Sequence, residues 1–143
     1  MNTRIMLAGV VAIIGIFAGA CTAALGTPKQ TTIDISYDEF AQVKNISKEI
    51  TIAKDAQLVI ELPSNPSTGF GWTEAEIAEA SILQENENKF VEPEEQAMGT
   101  EGTQVWTFTA TEKGTTTVEM EYSRPWEGGE KAEWTLAITV VVQ

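Results

Sequence analysis

Residues 132–142 read Ala-Glu-Trp-Thr-Leu-Ala-Ile-Thr-Val-Val-Val, with Ala132, Trp134, Leu136, Ile138, Val140 and Val142 on alternate positions. Successive side chains of a strand point to opposite faces, so this period of two describes a strand with one face buried along its length. The same alternation recurs upstream: Leu58, Ile60 and Leu62, then Trp106, Phe108 and Ala110, then Val118, Met120 and Tyr122. Ile33, Ile35 and Tyr37 fit a first strand, and Ile50 and Ile52 fit a short one that turns at Lys54-Asp55 into Leu58. Phe70 and Trp72 share a face, as a core tryptophan of an immunoglobulin-like domain would. Only Glu74 to Ala80 has helical character, and it is too short to organise a fold. About seven short strands separated by Gly, Pro, Asn and Lys-Gly turns predict an all-β, immunoglobulin-like antiparallel sandwich.

Three segments interrupt these strands: Asn65-Pro66-Ser67-Thr68-Gly69, Gly99-Thr100-Glu101-Gly102 and Arg124-Pro125-Trp126-Glu127-Gly128-Gly129. With strands lettered A to G, they follow B, D and F. Strands that reverse direction at each turn bring all three to one end, while Lys54-Asp55 and Lys113-Gly114 make turns at the other. The first segment alone is an ordinary turn: Pro66 fixes φ, Gly69 supplies φ > 0, and Asn65 can bond to its own backbone. The second alone fits any flexible connection. The third is different, because Trp126 beside a proline and two glycines has no core to enter, and exposed Trp and Arg are enriched at binding hot spots.

Composition removes whole classes of function. The chain has no histidine and one cysteine, Cys21, so Ser-His-Asp and Cys-His catalysis and a Cys/His zinc site are excluded. With 21 Asp plus Glu against 9 Lys plus Arg, a net charge of -12 opposes nucleic acid and anionic lipid alike. Acidic pairs such as Glu92 with Glu94 or Glu95 could be imagined as a glycosidase pair, yet they sit in a Pro-containing acidic run that reads as solvated surface. Nothing in the chain calls for a cofactor or a metal.

Residues 1–20 have the layout of an export signal: Arg4, an apolar run from Ile5 to Phe17, then Ala18-Gly19-Ala20 before Cys21. The apolar run is shorter than the roughly 20 residues that span a bilayer. A cysteine directly after small residues resembles the lipobox of prokaryotic lipoproteins, with Ala18 where leucine is usual. That resemblance implies a lipid on the Cys21 thiol and an exported protein held on the outer side of the membrane, with plain secretion as the alternative. Residues 21–31 then form a small polar tether, and 32–143 form one domain, read as a monomer, whose stability rests on apolar burial with no disulfide.

Taken in order, the three segments resemble one family. Asn65-Pro66-Ser67-Thr68-Gly69-Phe70-Gly71-Trp72 is similar to the NPTTG-aromatic-x-Trp segment of the chagasin family, inhibitors of papain-like cysteine proteases. Arg124-Pro125-Trp126 matches its RPW segment, and Gly99-Thr100-Glu101-Gly102 stands at its GxGG loop. Ser67 replaces a threonine and keeps the hydroxyl; Glu101 replaces a glycine and adds a charge. The resemblance implies an inhibitor that does no chemistry. Its BC loop, Asn65 to Gly69, would enter the protease cleft over the catalytic Cys and His. The DE segment, Gly99 to Gly102, and the FG segment, with Arg124, Pro125 and Trp126, would grip either wall, and Thr68 would hold the BC loop together from inside. The alternative is a cell-surface adhesion or recognition module on the same sandwich.

Overall fold

The structure is a computed structural model and describes residues 29–94 and 100–143. In chain order its elements are β1 (Gln30–Asp34), α1 (Tyr37–Gln42), β2 (Asn45–Ile52), β3 (Gln57–Ser64), a 3₁₀ turn (Pro66–Thr68), β4 (Gly71–Trp72), β5 (Glu76–Ile77), β6 (Leu83–Val91), β7 (Gly102–Ala110), β8 (Gly114–Ser123) and β9 (Trp134–Val142). Two sheets face each other. One has the order β1-β3-β7-β6; the other has β2-β9-β8-β4, with β5 also on β8.

The alternating apolar faces meet between the sheets. Leu58, Ile60, Leu62, Trp106 and Phe108 from one side and Val118, Leu136, Ile138 and Val140 from the other are at most 1% exposed. Each such aliphatic side chain contributes roughly 1.5–3 kcal/mol through burial, which is the source of stability in a domain without a disulfide. Val59, paired with Thr107 on the outward face of the sheet, is buried as well.

The immunoglobulin-like sandwich is as expected, but it is mixed and not wholly antiparallel. β1 runs parallel to β3, and β2 runs parallel to β9 over eight residue pairs. Alternation specifies a face and carries no information about direction, so this feature is silent in the pattern. The helix is also elsewhere. Glu74–Ala80 holds β5 and a turn, whereas α1 covers Tyr37–Gln42, so Tyr37 is helical and does not extend the first strand. Ser36 caps α1 in a reciprocal capping box with Glu39, and Phe40 plugs the helix into the core at 0% exposure. Ala132, expected on the buried face of the last strand, has φ 54 and precedes β9. β1 begins at Gln30, two residues before the expected domain boundary.

These corrections place an additional element at the loop end. Because β1 is parallel to β3, the chain leaves β1 at the same end at which β3 enters the BC loop, and α1 lies there. β2 then starts from that end, with Asn45 opposite Thr135 at the start of β9.

Candidate functional site

The strand register brings the described parts of the three segments together. Ser64, just before the BC loop, pairs with Gly102, and Gly71, just after it, pairs with Ser123, the residue before Arg124. Gly99 lies outside the described residues, as does Cys21; Thr100, Glu101 and Gly102 are within them.

The BC loop is held by its own polar groups. Asn65 Oδ1 accepts from the Ser67 N–H at 3.2 Å and from Ser67 Oγ at 2.6 Å. Thr68 Oγ1 donates to the Asn65 carbonyl at 2.7 Å and accepts from the Phe70 N–H at 3.3 Å, which is the internal bracing expected of it. Pro66 begins the 3₁₀ turn, and Gly69 closes it with φ 86 while its N–H donates to the Pro66 carbonyl. A loop fixed in this way loses little entropy when it is ordered against a partner.

Below it lies an aromatic platform. Phe70, Tyr122, Trp134 and Phe40 stack in succession at centroid separations of 5.3, 4.7 and 4.9 Å, with interplanar angles of 18°, 11° and 13°. Tyr122 accepts the Asn65 N–H on its hydroxyl at 3.0 Å, and Trp72 donates its indole N–H to the Pro63 carbonyl at 2.9 Å, closing the neck of the loop. The loop end therefore stands on a continuous stack of rings that joins it to the core.

The FG segment divides its two prominent residues between two jobs. Arg124 turns inward: Nε and one terminal nitrogen donate to the Thr68 carbonyl at 3.2 and 3.1 Å, the other pairs with Glu130 at 2.8 Å, and the guanidinium lies 4.5 Å from the Phe70 ring centroid. It therefore braces the FG segment to the BC loop. Trp126 stays 52% exposed, with its ring laid on Gly69: a Cβ there would be 2.6 Å from Trp126 Cη2. Gly69 is thus required twice, for its positive φ and for the space above it.

Lys131 organises the segment, and no sequence pattern singled it out. Its Nζ donates to the carbonyls of Arg124, Trp126 and Gly129 at 2.8, 2.9 and 3.1 Å. The root is fixed by Ser123, whose hydroxyl bonds Glu121 and accepts the Ala132 N–H at 2.9 Å, which accounts for the unusual φ of Ala132.

The DE side reaches the same place. Glu101 lines a cleft of about 250 Å³ together with Tyr37, Asn65, Thr68, Phe70 and Arg124. Burial, and after it the charge of Asp38 on α1, holds the Glu101 carboxyl above the usual carboxylate range. Among the described residues no group of His, Cys, Asp and Glu side chains is placed to hold a metal ion.

The chain is similar to known proteins over most of this domain. The family described as chagasin family peptidase inhibitor I42 matches residues 51–140. Chagasin of Trypanosoma cruzi is 36% identical over 84 residues, 55% of this chain and 74% of chagasin. Amoebiasin-2 of Entamoeba histolytica is 33% identical over 85 residues, 59% of this chain and 68% of the amoebiasin. The crystal structure of the cysteine protease inhibitor EhICP2 from Entamoeba histolytica superposes with a TM-score of 0.64 at 25% identity, covering 81% of this chain and 99% of that one.

Proposed function

The chain belongs to the chagasin family of peptidase inhibitors, whose members are inhibitors and not enzymes, and we propose that it inhibits papain-like cysteine proteases reversibly and competitively by seating the BC loop in the active-site cleft. The observation that supports this most is the braced loop end itself. Asn65 to Gly69 projects from an aromatic platform, held by its own hydrogen bonds and by Arg124, with the DE and FG segments on either flank.

In this mechanism the inhibitor contributes shape and hydrogen-bond acceptors. The Ser67 hydroxyl proton is committed to Asn65, so Ser67 Oγ meets the protease's catalytic pair as an acceptor. A 3₁₀ turn closed by a left-handed glycine is not the extended backbone that a protease cleaves, so the loop fills the cleft without being processed. Trp126 supplies an apolar contact on one wall of the cleft. Arg124 acts from inside by fixing the angle between the BC and FG segments. Thr100, Glu101 and Gly102 approach the other wall.

Titrating active papain with the purified chain tests the proposal. Inhibition is expected to be competitive, fully reversible on dilution, and accompanied by an uncleaved inhibitor. A panel of papain-like proteases untouched at micromolar inhibitor contradicts it and favours the adhesion reading.

We also place the domain, from about residue 30 onward, outside the cell membrane on a lipid carried by Cys21, on the strength of the export layout of residues 1–21. Cys21→Ser is then expected to move the protein from the membrane fraction to the soluble fraction without altering inhibition. Unchanged partition points to a retained apolar helix.

A further inference from the structure

Among the described residues the large hydrophobic side chains left exposed are Tyr37, Val43, Phe90, Val91 and Trp126. All five belong to elements at the loop end: the two flanks of α1, the last two residues of β6 and the FG segment. Two of them repeat one arrangement. Trp126 lies on Gly69, and Phe90 lies on Gly102, where a Cβ would be 2.5 Å from Phe90 Cζ. In each case a glycine makes room for an aromatic ring that stays partly in solvent, at 52% and 38% exposure.

The position of Phe90 along its strand is informative. β6 is the edge of its sheet, and its exposed residues from Gln84 to Lys89 are all polar: Gln, Glu, Asn, Glu, Asn, Lys. Exposed apolar side chains enter only at Phe90 and Val91, opposite Gln104 and Thr103 and next to Glu101-Gly102. A long edge strand is normally kept polar to deter pairing, so a solvated aromatic ring at its functional end indicates a surface that becomes covered; Val91, paired with Thr103, points to the face opposite Phe90, which is paired with Gln104.

We propose that Phe90 is a second apolar contact with the target protease, on the flank of the BC loop opposite Trp126. The inference rests on the inhibitory function proposed above. It extends the DE contact from the loop itself down onto the end of β6, so that the wedge is gripped by one aromatic ring on each side. It also specifies the target's chemistry: the wall facing β6 carries an apolar surface, and because Glu101 borders Phe90's glycine, that surface is rimmed by neutral or basic groups and not by acidic ones.

The test measures inhibition constants for papain and melting temperatures on the same preparations of the full chain. Phe90→Ala is expected to weaken inhibition about tenfold, as for truncation of an apolar contact inside an interface, whereas Val91→Ser, on the other face of the strand, should leave it unchanged. Phe90→Leu should retain most of the affinity. Because the flanks are separate, Phe90→Ala and Trp126→Ala should multiply in the double variant. Phe90→Leu guards against a Phe90→Ala variant that loosens Gly102, since it keeps a large side chain over that glycine. Wild-type inhibition with Phe90→Ala unchanged overturns this inference while leaving the inhibitor function intact; absence of wild-type inhibition overturns the function itself.

Discussion

The two ends of the sandwich are closed in different ways. At the far end the Lys54-Asp55 turn is tied by main-chain bonds, Asp55 N–H to the Ala110 carbonyl at 2.7 Å and Ala56 N–H to the Ala53 carbonyl at 3.1 Å, and no large hydrophobic side chain among the described residues is left exposed there. At the loop end side chains add to the main-chain bonds: Asn65, Thr68, Tyr122, Trp72, Arg124 and Lys131 each bond to main-chain groups, and exposed apolar side chains surround them. Backbone closure suffices for a turn that only has to reverse the chain. Side-chain bracing fixes the loop conformation on which the proposed recognition by a protease depends.

The sharpest way to break this comparison is to place the same substitution at both ends. Gly69→Ala meets a φ of 86 and the Trp126 ring at 2.6 Å, and Gly114→Ala meets a φ of 142 and Ile82 Cδ1 at 2.7 Å. Both should lower stability by about 1–2 kcal/mol, the strain of a non-glycine residue held at positive φ. Only Gly69→Ala should also weaken inhibition, by on the order of 100-fold, because the pre-shaped loop and the ring above it are both displaced. Equal inhibition constants for the two variants would erase the distinction between the ends.

Next in size, Trp126→Ala should weaken inhibition about 30-fold, or about 2 kcal/mol, with the melting temperature almost unchanged, because the ring is half in solvent in the free protein. A large fall in melting temperature at constant inhibition would make Trp126 a structural residue.

The smallest effect concerns Glu101. Its carboxyl is raised above the ordinary range by burial and by Asp38, so the folded state favours the neutral form. The stability it contributes is present below the ordinary carboxylate range and is lost as pH rises through the raised value. Glu101→Gln should therefore melt slightly above the wild type at pH 7, the gap closing toward pH 4. A gap independent of pH would show that the charge is not its cause.

Much of this architecture was legible in the sequence, for reasons that also mark where legibility ends. Period-two alternation locates Leu58, Ile60, Leu62, Trp106, Phe108, Leu136, Ile138 and Val140 in the core, because facing is a local property of a strand. Direction is not local, so the parallel pairings of β1 and β2 are invisible in the pattern, and with them the position of α1 at the loop end. The capping box of Ser36 and Glu39 was the available signal for that helix. At the site, turn chemistry reveals the BC loop, since Asn65, Pro66 and Gly69 act on their neighbours. Lys131 and Tyr122 escape because their work is done across the loop, on carbonyls five and seven residues away or on Asn65 far upstream. Arg124 is recognisable as part of a motif, yet its inward orientation depends on Thr68 and Glu130, which only the fold brings to it.

Amide hydrogen exchange of the chain, free and saturated with catalytically inactivated papain, tests most directly whether the loop end is the protease-binding surface. New protection is expected in residues 65–69, 101–102 and 124–129, with no change at 53–56 and 112–115. Protection at the far end, or along the outer edge of β2 with the loop end unchanged, would contradict it.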